Sequence, residues 1–129
     1  MRDYNPDVIW LHSVSRFLGP LVVNEVSKTD KFSLVTYHDL GLWSPFPSKV
    51  ESEDMIPKTP SLSSFLRTIR SNNPIVYIAA YCKYFQIFIL KRFLRNINIH
   101  IVPSGFLIPY VEHLSEIPRE KIEVLEHFL

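Results

Sequence analysis

The chain of 129 residues predicts an α/β domain: a Rossmann-like parallel sheet of about four strands with helices on both faces. Three observations predict it. Short apolar runs without polar alternation, such as Val8-Ile9-Trp10-Leu11, suit strands of a covered parallel sheet. Between them lie segments whose apolar residues recur at helical spacing. The two patterns alternate along the chain, and strand, helix and strand in succession form a parallel crossover unit.

Asp7 to His12, after Pro6, is the first strand. Phe17, Leu18, Leu21, Val22 and Val26 then keep helical spacing as far as Lys28. Ser13 or Ser15 can cap this helix, or Gly19-Pro20 can open it, because proline is accepted in a first turn. Phe32 to Tyr37, rich in β-branched and aromatic residues, follows a polar turn and is the second strand. From His38 to about Pro60 the chain holds Gly41, four prolines and several serines with no sustained period, which predicts an irregular segment.

Ser61 to Ser71 predicts a short helix, with Leu62, Phe65, Leu66 and Ile69 on one face, Arg67 and Arg70 on the other, and Ser61 or Ser63 as cap. Pro74 stands near the start of a longer, mostly apolar helix reaching about Leu94, where Lys91, Arg92 and Arg95 suit the negative end of the helix dipole. Ile97 to Val102 is the third strand, broken by Pro103-Ser104. Phe106 to Leu114 is a helix that admits Pro109 only in its first turn. Ile117 to Lys121 connects to a short last strand, Ile122 to Leu125. No internal repeat is visible.

A mass of 15.1 kDa fits one domain, and 47% hydrophobic against 21% charged residues is the balance of a chain that folds on a core. Fourteen basic and thirteen acidic residues leave +1, so bulk charge points to no nucleic-acid partner. The single Cys82 can form no intramolecular disulfide and anchors no metal site, which fits a reducing cytoplasm. The start of the chain carries no secretion-signal pattern. The apolar stretch Ile75 to Leu90 is interrupted by Lys83 and Gln86 and falls short of the roughly 18 to 20 apolar residues a bilayer span needs.

In parallel sheets, ligands bind beyond the carboxyl ends of the strands. The residues to inspect are therefore His12-Ser13, His38-Asp39 and Pro103-Ser104. His100, His113 and His127 have no spacing to Asp, Glu or Cys that forms a zinc or Ser-His-Asp constellation.

Four segments carry a more specific signal: Pro6-Asp7-Val8-Ile9-Trp10-Leu11-His12, Val35-Thr36-Tyr37-His38-Asp39, Ile101-Val102-Pro103-Ser104-Gly105-Phe106-Leu107, and Lys121-Ile122-Glu123-Val124-Leu125-Glu126-His127-Phe128. In this order they resemble glycosyltransferase family 4, whose retaining GT-B enzymes show a PDVIHLH strand, a TxHD strand end, a PSxFL strand-to-helix turn and an IxVIxNG segment closing the first domain. The match spans nearly the whole chain. It departs at Glu126-His127-Phe128, where Asn-Gly is common, and at Trp10, often a histidine in the family.

The resemblance implies that residues 1–129 are one partial GT-B N-terminal domain, the acceptor side of a nucleotide-sugar-dependent hexosyltransferase acting with retention and without an obligatory metal or other cofactor. Family members begin with a glycine-rich turn facing the nucleotide diphosphate, whereas Gly19, Gly41 and Gly105 are scattered. Most donor contacts of the family lie in a second domain. The resemblance therefore implies that both donor-handling parts are missing and that the isolated chain is inactive.

His38 matches a family histidine in the interdomain cleft and is the candidate catalytic residue, its imidazole able to donate to a sugar hydroxyl or to developing charge; it can equally cap a loop. Asp39 can accept from acceptor hydroxyls or serve as a cap or Asx-turn residue. His12 and Ser13 can line the same crevice or pack beneath the loop. Ser104 can hold an anionic group at a helix start or simply cap it. Trp43, in Leu42-Trp43-Ser44-Pro45-Phe46-Pro47, can stack on a sugar from an exposed loop or fold back onto the core.

The partners implied are a nucleotide sugar and a glycan or lipid-linked acceptor, with a companion polypeptide supplying the donor domain. Self-association is a further expectation, through a sheet edge left unpaired by absent early strands. The Tyr77, Tyr81, Tyr84, Phe85, Phe88, Lys91 and Arg92 helix can touch a membrane surface or be a core helix with a basic end. Two other readings stay open: a non-catalytic fragment acting only with a companion, and a small Rossmann-like nucleotide-binding module with its ligand near His12 and His38, which would lack a phosphate loop.

Overall fold

The computed structural model of the chain describes residues 4–12, 14, 19–44 and 56–126. Four strands, β1 (Val8–His12), β2 (Phe32–Thr36), β3 (Ile99–Val102) and β4 (Ile122–Val124), alternate with helices α1 (Pro20–Ser27), α2 (Leu62–Arg67), α3 (Pro74–Leu94) and α4 (Ile108–Leu114). Among the described residues, short 3-10 turns at Leu40–Leu42, Gly105–Leu107 and Arg119–Lys121 join them.

Local chemistry sets the helix ends. Pro20 and Pro74 occupy the first turns of α1 and α3, where a missing N–H costs nothing. Gly19 precedes α1 without a side-chain cap, so the helix opens at Gly19-Pro20. The earlier start predicted through Ser13, Ser15, Phe17 and Leu18 lies outside the described residues. Ser61 Oγ accepts from Ser64 N–H at 3.3 Å to cap α2, and Asn73 Oδ1 accepts from Ile75 N–H at 3.0 Å to cap α3. At the other end of α3, Lys121 Nζ donates to the carbonyls of Arg95 at 2.6 Å and Ile97 at 3.2 Å. A distant lysine thus serves these carbonyls, while Lys91 and Arg95 pair with Glu116 and Arg92 lies over the Phe88 ring.

All three strand pairings are parallel, in the spatial order β1-β2-β3-β4. Each strand therefore lies beside the one that precedes it in sequence. Crossovers of one hand that always advance in the same direction across a sheet deliver their helices to the same face. The packing agrees: Leu11, Val35, Val102 and Ile122 of the strands share one core cluster with Val23, Ile87, Leu90, Leu94, Val111 and Leu114 of the helices.

The α/β class and four-stranded parallel sheet match the expectation, and of the two faces the described helices occupy the one carrying Leu11 and Val35. On the opposite face Val8, Trp10 and Phe32 are 51%, 52% and 45% exposed, and Leu34, Ile99 and Ile101 are half-buried. A run such as Val8-Ile9-Trp10-Leu11 looks fully buried in sequence because both faces are apolar. Only one of them is covered by the described helices.

Two polar contacts, one part-buried and one buried, tie the strands together. Asn98 Oδ1 accepts from both Ser33 N–H at 2.8 Å and Ser33 Oγ at 3.0 Å, pinning the approach to β3 against β2. Within the core, Tyr37 Oη and His100 Nδ1 are 2.8 Å apart.

Candidate functional site

The carboxyl edge of the sheet brings two of the predicted residues into contact. In the parallel register His12 faces Thr36, and because side chains alternate along a strand, His38, two residues beyond Thr36, returns to the face of His12. His12 Nδ1 and His38 Nε2 are 3.1 Å apart, and the rings stack with centroids 5.4 Å apart at 20°. Both side chains are exposed.

The same alternation extends the cluster backwards along β1. Trp10 lies two residues before His12, with the ring centroids 4.8 Å apart. Its indole N–H donates to Thr36 Oγ1 at 2.8 Å, and Thr36 is buried. Trp10, Thr36, His12 and His38 thus form one line of side chains on the open sheet face, ending at the strand tips. Sequence reasoning missed Trp10 and Thr36 as site residues. The i, i+2 spacing of Trp10 and His12 and of Thr36 and His38 was the available signal.

A neutral imidazole carries a proton on one nitrogen only, so a contact between two neutral rings needs one donor and one acceptor. In either arrangement the pair ends with one protonated and one bare outer nitrogen.

Asp39 faces a different task. Its Oδ1 accepts from Gly41 N–H at 2.6 Å and caps the Leu40–Leu42 turn, the Asx geometry that was one of its two predicted roles. Ser104 stands beyond the end of β3 on the same edge, where its Oγ accepts from Phe106 N–H at 3.3 Å and caps the Gly105–Leu107 turn. Ser13 lies outside the described residues, as do Pro45 to Met55 and the His127-Phe128 end of the fourth motif.

Trp43 corrects the expectation of an exposed loop aromatic. It is fully buried, donates from Nε1 to Ser115 Oγ at 3.0 Å, and packs between Tyr37 and Tyr110 with centroids at 5.5 and 6.0 Å. The Leu40–Leu42 turn folds the chain straight back over the core, and a large ring with a satisfied N–H is favoured there.

Beside α4, an open groove of about 330 Å³ lies between Ile56, Lys58 and the side chains of Phe106, Tyr110 and His113. His113, which has no zinc or triad spacing in the sequence, is one of its walls. Among the described residues no group of three or more His, Cys, Asp or Glu could hold a metal ion, and no helix is long and apolar enough to cross a membrane.

Among the described residues His100 is the one histidine inside the core, wholly buried on β3. Burial holds its imidazole down at about 4, with the Lys121 ammonium adding to the effect. The Leu94 carbonyl favours the protonated ring and opposes the shift, yet among the described residues no group meets full hydrogen-bond geometry at Nε2. Burial likewise pushes the Tyr37 hydroxyl far above its ordinary value, so it stays protonated. If Tyr37 donates to Nδ1, the proton of the neutral ring sits on Nε2 and a single group is left unpaired; the reverse arrangement would strand the tyrosine proton as well.

No family model matches the chain, and no curated protein or solved structure matches it either. The chemistry of the strand-end residues is what remains to argue from.

Proposed function

We propose that the chain is the acceptor-side part of a GT-B glycosyltransferase resembling family 4, a retaining, nucleotide-sugar-dependent hexosyltransferase. The observation that carries the reading is the contact of His12 Nδ1 with His38 Nε2 at 3.1 Å on the carboxyl edge of a parallel sheet. The two histidines come from separate motifs of the resemblance, Pro6 to His12 and Val35 to Asp39. In this reading His38 meets the acceptor sugar at the strand tip, its imidazole donating to a sugar hydroxyl or to developing charge, and the contact with His12 fixes its ring. His38 is the catalytic candidate and His12 its support. Asp39 acts by holding the Leu40–Leu42 turn that follows His38, with its carboxylate engaged by Gly41. The nucleotide sugar is a substrate supplied to the complete enzyme, and no metal is required.

A second reading, that the chain works only with a companion polypeptide, is favoured by the exposed apolar sheet face around Trp10 and Phe32. In that case the companion covers this face and brings the donor site.

Imidazole signals of His12 and His38, followed by NMR during titration with alkyl glycosides and with nucleotide sugars, test the proposal. The expected result is a shift of both histidines with glycosides and little response to nucleotide sugars alone. Tight nucleotide binding at these strand ends would favour a nucleotide-binding module instead. Silence toward every glycan would remove the acceptor role.

A further inference from the structure

The outer side of α3 is an apolar surface that no described element covers. The helix buries Ala80, Ile87, Leu90 and Leu94 against the core. On the opposite side Ile75, Ile78, Tyr81, Phe85, Phe88 and Ile89 are exposed, Ile78 by 62% and Phe85 by 43%. They recur at intervals of three and four, so they form one stripe along a helix of 21 residues. Leu21 and Val22 of α1, which packs on α3, are exposed as well. Soluble surfaces rarely hold so long a run of bare apolar groups without an occupant.

Charge names the occupant. From Met55 to Val111 the sequence contains no Asp or Glu, yet it holds Lys58, Arg67, Arg70, Lys83, Lys91, Arg92 and Arg95. These are seven of the fourteen basic residues of the chain, and all thirteen acidic ones lie elsewhere. Glu116 alone of the described acidic residues pairs with cations of this segment, Lys91 and Arg95, and the helical layer stays net basic beneath a near-neutral total. Arg92 sits 5.3 Å from the Phe88 ring centroid, placing a cation directly beside the apolar stripe, while Lys91 is held by Glu116. A second copy of this chain would bring one basic layer against another, which is unfavourable.

We propose that the outer face of α3 docks on an anionic lipid bilayer. The helix lies in the plane of the interface, with the Ile78, Phe85 and Ile89 side chains entering the boundary between headgroups and acyl chains and the basic residues meeting lipid phosphates. Tyr77 and Tyr81 suit the headgroup level, with apolar rings and polar tips. The helix does not cross the membrane. This inference stands apart from the sugar-transfer reading and does not use the histidine pair.

The chain carries its own reporters. Cys82, its only cysteine, is exposed on α3, while Trp10 marks the open sheet face and Trp43 is buried. An environment-sensitive dye on Cys82 of the full chain is read against vesicles of phosphatidylcholine alone and mixed with phosphatidylglycerol. The expected result is a severalfold rise in dye emission with the anionic vesicles only, reversed by high salt, with Trp10 emission unchanged. Arg92→Glu weakens this binding by about fivefold or more. Ile78→Glu with Phe85→Glu abolishes it while the near-ultraviolet signal of buried Trp43 is retained.

A shift of Trp10 emission without a dye response would mean that the sheet face docks, and overturns the proposal. So does equal binding to neutral vesicles, or a chain that stays unbound with both vesicle types. A dye response that grows with protein concentration in the absence of vesicles identifies a second copy as the occupant and equally overturns it.

Discussion

Tyr37 Oη lies 2.8 Å from His100 Nδ1, joining the end of β2 to the middle of β3 inside the core. The contact places a titratable ring where water cannot reach it, and the sign of its effect on stability follows directly. The folded His100 is held at about 4, below the ordinary value of 6.5. At neutral pH the ring is mostly uncharged in both folded and unfolded chains, so its titration contributes little there. Below 6.5 the unfolded chain takes up a proton that the folded chain refuses, so stability falls until about 4. A gap of that size is worth roughly 3 kcal/mol. Denaturant melts between pH 7 and pH 4 should show the loss, and His100→Leu should flatten much of it even if it lowers stability at neutral pH.

Glu116 has φ of 56°, in the left-handed region, and its carboxylate bonds to Lys91 at 2.6 Å and to Arg95. Glu116→Gly removes the ion pairs and relieves the backbone, whereas Glu116→Ala removes the ion pairs and keeps the strain. Glycine should therefore be the more stable variant by about 1 kcal/mol, measured by thermal or urea unfolding. The hydrogen bond from Lys91 holds the Glu116 carboxyl below its usual range, with the charges of Lys91 and Arg95 adding to it and burial opposing. Its stabilisation is present above the ordinary carboxylate range and is lost as pH falls through the depressed value. Glu116→Gln removes this contribution and leaves that of His100.

Trp43→Phe deletes the donor to Ser115 Oγ, a buried hydroxyl. The expected cost is about 1–3 kcal/mol, rising to roughly 3–5 kcal/mol for Trp43→Ala, read from denaturant midpoints. Glycan binding per folded molecule should not change, because the ring does not reach solvent.

His38→Ala and His12→Ala should each weaken acceptor binding by about tenfold, the worth of roughly one hydrogen bond. Both side chains are exposed, so melting temperatures should stay close to that of the parent chain. Titration calorimetry beside thermal unfolding separates the two effects. An equal loss in both would mark the pair as structural.

Much of the fold was legible because its boundaries are chemical. Pro20 and Pro74 open helices at the residues where proline is tolerated, and Ser61 and Ser104 are small polar residues at caps. The strand tips were legible for the same reason, which is how His12 and His38 came forward. Their mutual contact was not, since it depends on His12 standing opposite Thr36, a register set by packing across the sheet rather than by any local pattern. Trp43 was ambiguous because an aromatic after a turn has the same local sequence whether the turn faces solvent or folds inward. The bare face of the sheet was hidden by its own composition: Val8, Trp10 and Phe32 are apolar whether or not something covers them.

The spatial order β1-β2-β3-β4 also governs how the molecule is put together. Every strand docks on the one synthesised before it, and none has to be threaded between two strands already paired. The sheet can grow outward from its first unit as the ribosome delivers the next, each addition finishing before the following one begins. The long wait comes between Thr36 and Ile99, during which β2 shows an open edge until α2 and α3 have emerged. A nascent chain halted in that interval is the species most exposed to rescue or to aggregation.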